Sequence, residues 1–266
     1  MPKCVNAFGR VCFMVVALWV SALPVHALPV SEIIEKSNLA AVYPGQDGRA
    51  EARMLIVDKQ GRKQFRQFTL LRRNIEQGGD QQYLVVFSRP ADVNRTTFLV
   101  EKHPGHDDDR WLYLPGLDLV KRIAAGDKRT SFVGSDFFYE DISGRDIKAD
   151  SFELLSENDT HWVLKATPKT SDGVEFAWYQ MTINKETFLP MIAEYFDAQD
   201  KLYRRMTATK VQEYQGIPTI TEMKAENLAD GSYSITQMRN VQYDLGLPTE
   251  VFTERSLRMP PRQWLQ

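Results

Sequence analysis

Apolar and polar residues alternate through most of this chain, and the alternation sets in near residue 50. Ala52, Met54 and Ile56 interleave with Glu51, Arg53 and Leu55, and the run ends at Asp58-Lys59-Gln60-Gly61, a turn. Phe65 to Arg73 reads as the hairpin partner, and Gly78-Gly79-Asp80 marks the next turn. Tyr83 to Phe87, Thr97 to Glu101 and Arg110 to Leu114 continue the pattern. The period of two is cleanest late in the chain. There Ile217, Thr219, Thr221, Met223 and Ala225 share one face, with Glu222, Lys224 and Glu226 on the other. Asp230-Gly231 then turns into Tyr233, Ile235, Val241 and Tyr243. Short turns joining about eleven strands predict an antiparallel meander.

Two stretches depart from that period. Before the first strand, Ser31 as N-cap, Glu32 in the first turn and an apolar side of Ile33, Ile34 and Ala40 or Ala41 predict a helix, stopped by Tyr43-Pro44-Gly45. From Ala125 to Asp150, Gly126, Gly134, Gly144 and many charges break the alternation. That interruption is too long for a hairpin loop, and loops of such length usually serve as lids or binding elements. So many antiparallel strands do not stay flat, and the predicted sheet curls toward an incomplete barrel. Only the early helix and the interrupting segment are available to plug it, so an apolar cavity is expected. The predicted class is α+β, mainly β: one highly curved antiparallel sheet with helical lid elements, spanning residues 28–266.

The N-terminus changes the picture of where this happens. Lys3 and Arg10 precede the uncharged apolar run Val11 to Ala22, and Val25-His26-Ala27 offers a small-x-small cleavage site. These features predict a secretory signal peptide over residues 1–27, its apolar run too short to span a membrane comfortably. Both cysteines, Cys4 and Cys12, fall within it, so the mature chain would have no disulfide or thiolate chemistry. Cleavage removes two of the 33 basic residues and none of the 35 acidic ones, for a net charge of −4. An acidic surface is a poor match for nucleic acid.

One region carries a resemblance. Asp109-Arg-Trp-Leu-Tyr-Leu-Pro115, Lys121-Arg-Ile123 and Thr130-Ser-Phe-Val-Gly-Ser-Asp-Phe-Phe-Tyr-Glu-Asp-Ile142 together resemble the outer-membrane lipoprotein-sorting family related to LolA and LolB, and within it the longer RND-exporter-associated branch. Glu35 to Pro44 is similar to the family's opening helix, and Phe252-Thr253-Glu254-Arg255-Ser256-Leu257 to its closing element. The resemblance implies a half-barrel whose helical lid covers an apolar cavity for acyl chains. It also implies a periplasmic location, lipid or acylated lipoprotein as cargo, transient contact with membrane surfaces, and an RND-type inner-membrane exporter as partner. It implies no cofactor and no catalysis. On this mapping Trp111, Tyr113, Phe132, Phe137, Phe138 and Tyr139 line the cavity and lid.

Physical chemistry supports the aromatic part of that expectation. Acyl chains offer nothing to hydrogen-bond, and their binding rests on apolar area, about 0.8 kcal/mol per buried CH₂. Phe132 to Tyr139 places four aromatics within eight residues, a composition that suits either a lid or a core plug. Glu140 and Asp141, with Arg122 and Arg145 as partners, are candidates to anchor the lid through surface ion pairs worth on the order of 0–1 kcal/mol. Lys121, Arg122, Lys128 and Arg129 form a basic cluster beside it that would suit anionic lipid headgroups or an acidic patch on a partner. His103-Pro-Gly-His106-Asp-Asp-Asp109 has metal-ligand chemistry, but its setting reads as a solvated hairpin tip, and no metal site is predicted. His161 near Asp159 comes with no nucleophile motif and reads as a surface strand residue. The alternative to a carrier is a non-enzymatic adaptor, its sheet filled by its own side chains and its lid region docking the exporter.

Overall fold

The computed structural model describes residues 28–265 together with Met1. The rest of the expected signal peptide lies outside the described residues. Thirteen strands form a single antiparallel sheet: β1 (Asp47–Val57), β2 (Lys63–Asn74), β3 (Gln81–Arg89), β4 (Thr97–Lys102), β5 (Asp109–Leu114), β6 (Leu119–Ile123), β7 (Asp150–Glu157), β8 (His161–Pro168), β9 (Trp178–Asn184), β10 (Pro190–Phe196), β11 (Leu202–Tyr214), β12 (Ile217–Asn227) and β13 (Tyr233–Tyr243). Their spatial order is β6-β5-β4-β3-β2-β1-β13-β12-β11-β10-β9-β8-β7. The chain thus starts at the centre, works outward to one edge at β6 and crosses to the opposite edge at β7. It then returns strand by strand until β13 pairs with β1. The sheet is open, with β6 and β7 as its unpaired edges. Thirteen strands exceed the eleven expected because the two edge strands are largely exposed and carry little apolar alternation.

The sheet is rolled. Gly105, in the turn between β4 and β5, donates its N–H to Asp146 Oδ2 at 2.7 Å. Asp146 lies four residues before β7, yet ten strand spacings separate β4 from β7, about 48 Å across a flat sheet. Only curvature brings the two ends together. The connection that profits is the segment 124–149, which runs from edge to edge across the inner face and contains the short helix α2 (Tyr139–Ser143).

Inner-facing side chains follow one parity on each strand. Met54, Phe68, Val85, Phe87, Phe98, Val100 and Leu112 gather with Phe132, Phe137 and Tyr139 of the crossing segment in one buried cluster. Toward the other edge, Trp162, Leu164 and Ile183 pack against Ile33 and Ile34 of the N-terminal helix α1 (Val30–Val42). Pro29, not Ser31, occupies the N-cap of α1, and it makes no side-chain cap. The helix starts at Val30, so the Ser31 hydroxyl lies inside the first turn and not before it. Outer-facing Leu71, Leu84, Val86, Leu99 and Tyr113 are covered by the C-terminal stretch through Leu247, Val251, Phe252 and Leu257, the last in the helix α3 (Glu254–Arg258). Because β3 is roofed on both faces, Gln81 to Phe87 are buried without interruption.

Candidate functional site

The crossing segment builds the site. Phe132 is fully buried between Phe87 and Phe98, with ring centroids 5.7 and 5.3 Å away, and meets Tyr139 edge-on at 5.6 Å. Phe98 also packs against Tyr139 at 5.2 Å, while Phe68 extends the row to Phe87 at 5.1 Å. Phe137 is buried in the same cluster. Three of the four aromatics thus fill the apolar interior. The fourth, Phe138, is half-buried and stacks instead on guanidinium groups, 4.1 Å from Arg204 and 5.1 Å from Arg129.

Trp111 and Tyr113 do not share that interior. Their strand turns Leu112 and Leu114 toward Phe132 and presents Trp111 and Tyr113 to the C-terminal stretch on the outer face. The expectation that all six aromatics line one cavity is corrected here. Both parities of β5 are apolar because both faces are covered, so alternation carries no direction on this strand. An open groove of about 680 Å³ does exist, but on the outer face, among Arg53, Gln67, Lys210, Gln212, Glu222 and Arg239. Its lining mixes these charged and polar side chains with apolar ones such as Phe68, Val86 and Met238, unlike the wholly apolar cavity expected.

Beside the aromatics lies a buried ionic network. Arg129 donates to Glu140 at 2.8 Å and, through Nε and Nη2, to both oxygens of Glu175 at 2.7 and 2.8 Å. Arg145 bridges Glu140 at 3.2 Å and Asp150 at 2.7 and 2.8 Å. Asp141 accepts the Phe138 N–H at 2.7 Å and pairs with Arg204 Nη2 of β11 at 2.5 Å. Tyr179 and Tyr203 donate their hydroxyls to Asp150 and Glu175, each at 2.8 Å. Burial works against the charge on Glu140, but Arg129 and Arg145 outweigh it and hold its carboxyl below the ordinary range. Burial likewise opposes the Arg129 charge, and the Glu175 bonds with the surrounding anions more than offset it. Lys102, buried on β4, donates to the carbonyls of Ser143 and Gly144 at 2.7 Å each and ties down the end of α2. Gly144 adopts a positive φ there, and a Cβ would come within 3.2 Å of Val42, so only glycine suits the position.

The anchoring residues read from the sequence therefore divide. Glu140 and Arg145 meet as anticipated, and Asp141 is engaged, although by Arg204. Arg122 is elsewhere: it is exposed and pairs with Asp109 across the β5–β6 hairpin. Nor is Arg129 part of an exposed basic cluster, since only 7% of it reaches solvent. Arg129, Arg204, Glu175 and Asp150 escaped the sequence reading as network members. An available signal was Arg204 itself, which shares the inward parity of Met206 and Ala208 on a strand.

The remaining candidates are simpler. Glu101, His103 and Asp109 each bring one ligand atom within 4.8 Å of the others, the only such triad among the described residues. Two of those groups are already engaged, His103 by Asp80 at 2.9 Å and Asp109 by Arg122, and His106 stands outside the triad. His161 contacts the Thr160 hydroxyl at 2.8 Å and no carboxylate among the described residues. No helix among the described residues is long and apolar enough to cross a membrane.

Comparison with known proteins identifies the architecture. A family model described only as an uncharacterized protein matches residues 79–259. A DUF1329 family protein from Desulfovibrio piger is 31% identical, with a TM-score of 0.78, over 85% of this chain and 98% of its own. The chain belongs to the DUF1329 family. Among structures similar to this DUF1329 protein is a domain named for outer-membrane lipoprotein sorting, from Vibrio parahaemolyticus. It is 26% identical, with a TM-score of 0.78, over 85% of this chain and 97% of its own. A LolA superfamily protein from Nitrosomonas europaea shares the fold at 17% identity and a TM-score of 0.67, over 86% and 99%. No curated protein matches the DUF1329 chain in sequence. The fold that the motif resemblance implied is thus shared with a domain named for lipoprotein sorting.

Proposed function

We propose that this protein binds lipid or lipid-modified cargo inside its rolled sheet and carries it through the periplasm between the inner and outer membranes. One observation carries the reading: a single segment, residues 124–149, stoppers the apolar interior with Phe132, Phe137 and Tyr139. The fold held in common with a lipoprotein-sorting domain supports it. In this reading the structure is the closed state. Opening withdraws three aromatic side chains and leaves an acyl-sized apolar surface between Met54, Phe68, Phe87 and Phe98. No covalent chemistry is involved. A carrier without an energy source follows differences in affinity, so the donor must supply the drive.

A second reading has one specific observation in its favour: the interior is filled by the chain's own side chains, as in an adaptor that docks an RND-type exporter without carrying lipid. Native mass spectrometry of mature protein purified from a Gram-negative periplasm, with organic extraction of what co-purifies, separates the two. The carrier predicts a stoichiometric adduct of acyl-lipid mass that Phe68→Asp, on the wall the acyl chains meet, weakens. A clean apo mass that persists after incubation with phospholipid and lipopeptide micelles would refute the carrier and leave the adaptor.

A further inference from the structure

Arg204 is an unusual residue for the inner face of a sheet. It is only 3% exposed, and its Nη1 has no hydrogen-bond partner. Nη2 donates to Asp141 Oδ2 and to the Asp136 carbonyl at 3.2 Å, and the guanidinium plane rests on Phe138. Asp141 is its one ion-pair partner among the described residues. Every one of these partners belongs to the crossing segment. On the sheet side, Arg204 is flanked by Tyr195 across the strand pair and by Met206 two residues along. Met206 itself packs against the apolar cluster of Phe132 and Phe137.

Arg204 therefore marks the border between the apolar interior and the ionic network. When residues 124–149 lift, Arg129, Glu140, Asp141 and Arg145 travel with them. Of the acids left behind, Asp150 keeps its Tyr179 bond and Glu175 its Tyr203 bond. Arg204 would remain with two free donor edges at the mouth of an apolar cavity. A guanidinium shut away from water without an anion is costly, so a ligand that fills the cavity and covers Arg204 must bring one.

We propose that Arg204 recognises the headgroup of the cargo and that the cargo class is anionic lipid, with a phosphate diester or carboxylate beside its acyl chains. This inference rests on the carrier reading above. The crossing segment is then an internal mimic of the ligand. The Asp141 carboxylate holds the place of the headgroup, and Phe132 and Phe137 hold the place of the acyl chains. Closed protein and loaded protein satisfy the same arginine with different anions, which makes lid closure and headgroup binding mutually exclusive.

The test is competition between phosphatidylglycerol and diacylglycerol of matched chains, the second lacking any anionic group, offered in equal amounts to the mature protein and read by native mass spectrometry. A charge-assisted contact predicts about tenfold or greater preference for phosphatidylglycerol. Arg204→Gln should bring the ratio near one by lowering phosphatidylglycerol uptake. Asp141→Asn retains an acceptor for the Phe138 N–H but removes the competing charge, and it should raise phosphatidylglycerol uptake. Should Arg204→Gln fail to fold by circular dichroism, Asp141→Asn decides: no rise overturns the proposal. An equal ratio in the wild type, or an unchanged ratio in Arg204→Gln, overturns the role of Arg204 and leaves the carrier standing. No adduct with either lipid overturns the carrier reading and this one with it. Displacement of bound phosphatidylglycerol by millimolar inorganic phosphate would mark a site for the free anion and overturn the lipid assignment.

Discussion

Glu140→Gln probes the network that holds the crossing segment down. Glu140 is 4% exposed and receives Arg129 at 2.8 Å and Arg145 at 3.2 Å. Removing one member of a buried ion pair typically costs about 3–5 kcal/mol, because a charge is left stranded. Here each arginine keeps a second carboxylate, Glu175 for Arg129 and Asp150 for Arg145, so neither is stranded. The expected loss is correspondingly smaller, about 2–3 kcal/mol. For a chain of this size that lowers Tm by about 4–12 °C. The pH dependence supplies an independent check. Since the Glu140 carboxyl is held below its ordinary range, its contribution is complete above the unfolded value of about 4.3. It then fades as pH falls through the lower folded value. Urea unfolding of wild type and variant should therefore differ fully at neutral pH and converge in acid. A difference below about 0.5 kcal/mol at neutral pH, or one that does not shrink in acid, would refute the reasoning. Arg122→Ala, which breaks only an exposed pair, should stay within about 0.5 kcal/mol of wild type in the same assay.

Phe132→Ala removes a fully buried ring from among Phe87, Phe98 and Tyr139 and should cost about 3–5 kcal/mol in urea unfolding; a loss near zero would mean the ring is not packed as described. Trp111→Ala should leave lipid uptake unchanged while Phe68→Asp weakens it, because the two residues occupy opposite faces of the sheet; equal losses in lipid-binding titrations would contradict that separation. Burial pushes the Tyr43 hydroxyl up to about 12 and raises those of Tyr179 and Tyr195 as well. Raised values mean stability that is complete below the unfolded value of about 10 and lost as pH climbs past it. Alkaline unfolding followed by tyrosinate absorbance should then be cooperative, whereas independent titration of all tyrosines near pH 10 would refute their burial.

Much of the architecture was legible in the chain alone. The period-2 stretches of β1, β12 and β13 place strands where they occur, because each has one face in the apolar interior and one largely turned to polar surroundings. The break in that period at residues 125–150 marked the crossing segment, since a chain that leaves a sheet must drop its alternation. The aromatic run at 132–139 and the Glu140–Arg145 contact were likewise visible, as local features of one short stretch. Other decisions belonged to tertiary structure. Trp111 and Tyr113 went to the outer face because the C-terminal stretch, more than 130 residues later, roofs it; alternation is mute when both faces are covered. The partners of Arg129, Asp141 and Arg145 depended on how far the sheet rolls, for only that curvature sets residues 124–149 above Glu175 and Arg204. A charge in a sequence reads as solvated until the fold buries it. Burial is a property of the assembled layers, so the strength of this network, and the lone anion-seeking edge of Arg204, could be read only from the folded molecule.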